Sequence, residues 1–146
     1  MDALMENPAF TTFAACTAIL VAKSLLSGLY TALTRIRQKQ FVNPEDAKAF
    51  KGTADPAETD AAARALRIQR NDTENLPLFF GLGLVFVLSG ATAFEASVYF
   101  WTFTVARILH TLTYMGSLQP WRFLSFAVGM LCLLGMAVQV LLAALA

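Results

Sequence analysis

The apolar run from Leu76 to Leu88 is too short to cross a bilayer alone, and Arg70-Asn71-Asp72-Thr73-Glu74 lies just before it. A helical span needs ~20 residues, so a span built on this run draws the charged tract down to membrane depth. On insertion scales each charge at the bilayer centre costs roughly 2.5–3.5 kcal/mol. A chain that keeps several charges there has a use for them, and the fold must give them a polar lining.

The rest of the chain is consistent with that requirement. Of its 146 residues 57% are hydrophobic and 14% charged, and most of the charges fall between Arg35 and Glu74. The apolar runs are nearly continuous, without the surface breaks of a small soluble domain, which argues for an all-α integral membrane protein. A net charge of +1 gives no reason to expect a nucleic-acid partner. Cys16 and Cys132 sit inside apolar runs without ligand or redox spacing and read as small buried hydrophobes; no metal site is expected. The leader, with Asp2 and Glu6 and no basic stretch, does not read as a cleavable signal.

Four spans are expected, at about 8–34, 70–88, 94–114 and 122–145, in one membrane domain covering 1–146 without internal repeats. Short turns at Gly90–Ala93 and Gly116–Pro120 separate the later spans, and one long loop occupies 36–69. Within that loop Asn43-Pro44 reads as an N-cap followed by a first helical residue, with Asp46 assisting. Asp55-Pro56-Ala57-Glu58 reads as a second, acidic helix start that feeds the second span. Pro77 should kink that helix. The long loop and the residues bordering it carry Arg35, Arg37, Lys39, Lys48, Lys51, Arg64, Arg67 and Arg70, whereas the N-terminus, the second loop and the C-terminus carry no Lys or Arg. The positive-inside rule places the loop in the cytoplasm and both termini on the other side.

Three polar stripes are candidates for chemistry. Arg67, Arg70, Asn71 and Glu74 recur at helical offsets on one face. Arg107, His110, Thr111 and Tyr114 do the same on the third span, where Arg107, the deepest, is expected to pair with Asp72 or Glu74. Arg122 opens the fourth span, with Ser125 one turn in. Lys23 lies about 18 Å along the first span from Arg35 at 1.5 Å per residue. It is expected to face inward to a partner the sequence does not name.

Arg35, Arg67, Arg70 and Arg122, with Asn71, Glu74, His110 and Tyr114, suit a small anion. Guanidinium forks bind carboxylates bidentately, and Glu74 would accept an ammonium group. Glutathione has two carboxylates, one ammonium, amides and a thiol. A thiol beside a fixed cation ionises more readily, and the thiolate is the nucleophile. An apolar wall toward lipid would admit a greasy second substrate.

At these residues the chain resembles the membrane-associated proteins in eicosanoid and glutathione metabolism, over about Val21 to Val140. The resemblance is carried by Arg35-Ile36-Arg37 leading to Phe41-Val42-Asn43-Pro44-Glu45-Asp46, by the tract Arg67 to Pro77, and by Ala106-Arg107-Ile108-Leu109-His110-Thr111 with Tyr114, Pro120 and Arg122. It implies a four-transmembrane-helix bundle assembled as a homotrimer, with glutathione held between protomers near the cytoplasmic face. The implied glutathione contacts are Arg35, Arg67, Arg70, Asn71, Glu74, His110 and Tyr114. Arg122 is implied as the thiolate-stabilising arginine and Asp46 as a loop carboxylate with a catalytic part, although capping alone would account for Asp46.

Within the family, the microsomal prostaglandin E synthases have a serine directly after the fourth-helix arginine and a tyrosine further on; this chain has Phe123 and Phe126. The tract Leu124-Ser125-Phe126 with Val128-Gly129 is more similar to the type-one microsomal glutathione transferases, although Ala47 replaces their reactive cysteine and Gln69 replaces a histidine common to both branches. The expected function is a membrane glutathione transferase acting on hydrophobic electrophiles, with lipid-hydroperoxide reduction as a second activity. The alternatives are a prostaglandin endoperoxide isomerase and a non-catalytic lipid-presenting scaffold. The expected location is the endoplasmic reticulum in a eukaryote or the inner membrane in a bacterium.

Overall fold

The computed structural model describes residues 2–146. In chain order the elements are α1 (Asp2–Met5), α2 (Pro8–Gln38), β1 (Gln40–Phe41), α3 (Pro44–Ala49), β2 (Thr53–Ala54), α4 (Asp60–Leu88), α5 (Ala93–Met115) and α6 (Trp121–Leu145). α2 starts where Pro8 supplies the pre-set φ of a first helical residue and Asn7 Oδ1 accepts from Ala9 N at 2.9 Å. It runs four residues past the expected end of the first span and stops at Lys39, whose φ of 51° leaves the helical region. α4 continues through Pro77 although that residue supplies no N–H. α5 opens on a capping box: Thr92 Oγ1 accepts from Glu95 N at 3.2 Å, and Glu95 Oε2 accepts from Thr92 N at 2.9 Å.

The chain divides into two compact units, Met1–Ala22 with Thr73–Ala146, and Lys23–Asp72. The first unit has an aromatic core. Phe79 stacks on Phe103 at 4.5 Å between centroids and meets Phe100 edge-on at 5.6 Å, while Phe13 lies 5.4 Å from Phe100. Ala9, Cys16, Leu20, Leu76, Cys132 and Met136 complete a buried cluster drawn from α2, α4, α5 and α6. Gly83 makes the close approach possible, because a Cβ there would stand 2.7 Å from Phe13 Cε2.

The second unit buries polar groups (Thr31, Thr34 and Asp72) beside its apolar ones. Lys23 forms an ion pair with Asp72, with side-chain exposures of 10% and 3%. Gln69 Nε2 donates to Ser27 O (3.1 Å) and Thr31 Oγ1 (2.9 Å), joining α4 to α2 one turn further along. The loop closes as a parallel two-stranded pair, Gln40 opposite Thr53 and Phe41 opposite Ala54. α3 begins at Pro44 as expected, but Asn43 does not cap through its side chain; its Nδ2 donates to Asp46 Oδ2 at 3.1 Å. The second helix start differs from the expectation. Asp55 Oδ1 accepts from Ala57 N at 2.9 Å, which makes the Asp-Pro stretch a turn, and α4 begins only after Thr59, whose Oγ1 accepts from Ala62 N at 3.2 Å.

Among the described residues, α2 and α6 are long and apolar enough to cross a membrane. Only 22% of the apolar window in each is buried within the chain. Leu25 and Leu26 on α2, and Leu131, Leu134 and Leu142 on α6, are all exposed, more large apolar side chains than a water-soluble monomer usually leaves uncovered. The charges expected at membrane depth lie on α4 and α5, with Lys23 on α2.

Candidate functional site

In the first unit, the end of α5 and the start of α6 bring four of the polar residues together. The Arg122 guanidinium lies over the Tyr114 ring, 4.6 Å from its centroid. Its Nε and Nη2 donate to the Gln119 side-chain oxygen at 3.1 and 2.6 Å, in the amide orientation that satisfies both groups. His110 is buried, with Nδ1 3.0 Å from the Arg122 carbonyl oxygen. A carbonyl can only accept, so Nδ1 carries the proton and, in the neutral ring, Nε2 is the acceptor. The His110 and Tyr114 rings meet edge-on at 5.7 Å. Ser125 Oγ donates to the same Arg122 carbonyl at 3.0 Å, so the first turn of α6 is fixed by α5 and by its own side chains.

Every partner of the Arg122 side chain named here is neutral. A ring face and an amide oxygen orient a guanidinium without cancelling its charge. Beside this cluster, α5 and α6 enclose an apolar groove of about 610 Å³ lined by Trp101, Val105, Leu109, Trp121, Leu124 and Val128, with Ser125 also on its wall. Arg107, one turn before His110, is fully buried and packs against Gly129, where a Cβ would meet its Cδ at 3.4 Å.

The second unit holds Arg35, Asp46, Arg67, Arg70 and Asn71. Arg35 does not stand open. It makes a fork with Glu58, Nη2 to Oε1 and Nε to Oε2, the latter at 3.3 Å. Arg67 and Arg70 are exposed and Asn71 is half-buried, whereas Ala65, Ile68 and Asp72 on the other face of α4 are buried. Glu74, one turn on and in the first unit, is exposed as well. Three of the four stripe positions on α4 are thus exposed, with Asn71 half-buried. Asp46 is half-buried and engaged by Asn43. Asp72 Oδ1 is taken by Lys23, which supplies the partner that the sequence left unnamed.

Sequence reasoning missed Glu58 and Gln119. Glu58 falls in the stretch expected as a helix start and Gln119 in the turn before α6, and neither belongs to a polar stripe. Among the described residues no group of three His, Cys, Asp or Glu side chains is placed to hold a metal ion.

The model of the MAPEG family matches residues 13–142, nearly the whole chain. The chain belongs to the MAPEG family. Its relatives include microsomal glutathione S-transferase 1 of Homo sapiens, 39% identical over 144 residues that cover 94% of this chain and 92% of that protein. Microsomal glutathione S-transferase 1 of Bos taurus is 38% identical over 147 residues, covering 97% and 94%. Prostaglandin E synthase of Homo sapiens is 35% identical over 139 residues, covering 94% and 91%. Membership of this membrane family, together with two apolar helices that expose most of their surface, makes the chain an integral membrane protein.

Proposed function

We propose that this MAPEG protein is a membrane glutathione transferase that ionises the glutathione thiol and conjugates it to hydrophobic electrophiles. The observation that carries the proposal is the Arg122 guanidinium, oriented by two neutral partners, Tyr114 and Gln119, with no carboxylate paired to it among the described residues. The relatives named glutathione S-transferase, at 38–39% identity over most of both chains, support the substrate.

In this reading Arg35, Arg67 and Arg70 grip the glutathione carboxylates, Glu74 takes its ammonium group, and Asn71, His110 and Tyr114 bond its amides. The exposed stripe on α4 suits a ligand shared with a second copy, and we propose a homotrimer of four-span bundles with the long loop in the cytoplasm and both termini opposite. The thiol proton leaves to water. The thiolate, stabilised by Arg122, attacks an electrophilic carbon, the S–C bond forms, and the leaving group departs with its electron pair. The groove between α5 and α6 would take the apolar body of that substrate. Reduction of a lipid hydroperoxide through the same thiolate would consume two glutathiones and give the alcohol, water and glutathione disulfide. Asp46 is included as a catalytic loop carboxylate on the strength of the resemblance alone.

Purified protein in detergent should conjugate glutathione to a generic aryl halide. Binding of glutathione without turnover would favour the lipid-presenting scaffold. Relatives named prostaglandin E synthase, at 35% identity, keep the endoperoxide isomerase as a second reading. Phe123 and Phe126, where that branch has a serine and a tyrosine, weigh against it. Isomerisation of a prostaglandin endoperoxide faster than aryl-halide conjugation would reverse the order of the two.

A further inference from the structure

Glu58 lies outside every motif that carries the functional reading, yet it makes the most complete ion pair of the loop. Both of its carboxylate oxygens are engaged by the Arg35 fork, and the two side chains are 28% and 17% exposed. The carboxylate is presented by a tethered strap. On one side of Glu58, the Ala57 carbonyl accepts from Gln40 Nε2 at 2.8 Å. On the other, Thr59 Oγ1 bonds to Gln38 Oε1. Further back the strap is paired as β2 to β1. The ties close the chain around Gly52, where a Cβ would stand 2.4 Å from the Lys39 carbonyl oxygen. None of these ties uses the Glu58 side chain. The carboxylate can therefore swing off Arg35 by rotation about its own bonds while the strap stays in place.

We propose that Glu58 is an internal competitor for the carboxylate site at Arg35. It occupies the guanidinium fork when no ligand is bound, a ligand carboxylate displaces it, and it thereby sets the affinity for glutathione. The inference rests on the reading of Arg35 as a glutathione contact. A carboxylate from the chain and one from a ligand offer the fork the same two acceptor oxygens, so only one can hold both donors. Occupation by Glu58 also neutralises Arg35 in the empty protein, which lowers the cost of a half-buried cation near lipid.

The test is titration of the full-length protein with glutathione, read by thiolate absorbance, in wild type, Glu58→Gln, Arg35→Ala and the double variant. A partly exposed ion pair is worth up to ~1 kcal/mol, so its removal should tighten glutathione binding by about 3–5-fold. That gain should vanish in the Arg35→Ala background. Unchanged or weaker binding by Glu58→Gln would overturn the proposal and make Glu58 a support for Arg35. A gain that persists without Arg35 would overturn it too, since it would reflect only the loss of a negative charge. A wild type with no thiolate signal at any glutathione concentration fails earlier, at the functional reading itself.

Discussion

Lys23 and Arg35 in the second unit keep different company from Arg122 in the first. In the second, Lys23 is paired with Asp72 and Arg35 with Glu58. In the first, Arg122 is held by an amide oxygen and the face of a tyrosine. Carboxylate partners settle a cation in a low-dielectric setting but spend its field on the partner. Neutral partners fix direction and leave the charge free to act on an incoming anion. A cation meant to hold helices together and a cation meant to ionise a thiol thus need different company, and the chain supplies both kinds.

Removing one member of each arrangement should separate the two roles. The largest effect is expected for Lys23→Met. It leaves the Asp72 carboxylate buried without its cation and should destabilise the protein by about 3–5 kcal/mol. Thermal unfolding in detergent checks this, and Lys23→Met with Asp72→Leu should recover most of the loss. Arg122→Ala should leave stability nearly unchanged while conjugation falls by about 10²–10³-fold, the usual consequence of losing one donor aimed at a developing anion. Gln119→Glu would give Arg122 the kind of partner that Arg35 has. The pKa of the bound glutathione thiol should then rise by about one unit, ~1.4 kcal/mol, so the pH profile of thiolate absorbance moves to higher pH. Tyr114→Leu removes the ring face under Arg122 as well as the hydroxyl read as a glutathione contact. Compared with Tyr114→Phe, which keeps the ring, it should cost a further ~0.5–1 kcal/mol of thiolate stabilisation, a two- to five-fold loss in turnover at fixed pH. If Gln119→Glu left the pH profile where it was, neutral company would not be what distinguishes Arg122.

Much of this organisation could be read from residue order. Continuous apolar runs and short turns placed α5 and α6 to within a residue, because Gly90 and Thr92 on one side and the Gly116–Pro120 turn on the other leave the helices no other place to end. Of the stripe, Arg67, Arg70 and Glu74 are exposed and Asn71 is half-buried; helical periodicity alone decides which residues share a side. The loop was less legible. Asp55-Pro56 carries signals for both a helix start and a turn, and the local Asp55–Ala57 bond decided for the turn. Contacts between residues distant in sequence were not legible at all. Nothing in the local pattern of Lys23 or Arg35 names Asp72, 49 residues on, or Glu58, 23 residues on. Gln119 was missed because a polar residue in a turn ordinarily faces water.

If Arg122 holds glutathione as its thiolate, rapid mixing of detergent-solubilised protein with glutathione, following thiolate absorbance and proton release together, will show it. Wild type should develop the thiolate band with a matching release of protons, and Arg122→Ala should develop neither at the same occupancy of glutathione. An undiminished band in Arg122→Ala, or none in a wild type saturated with glutathione, would contradict the account.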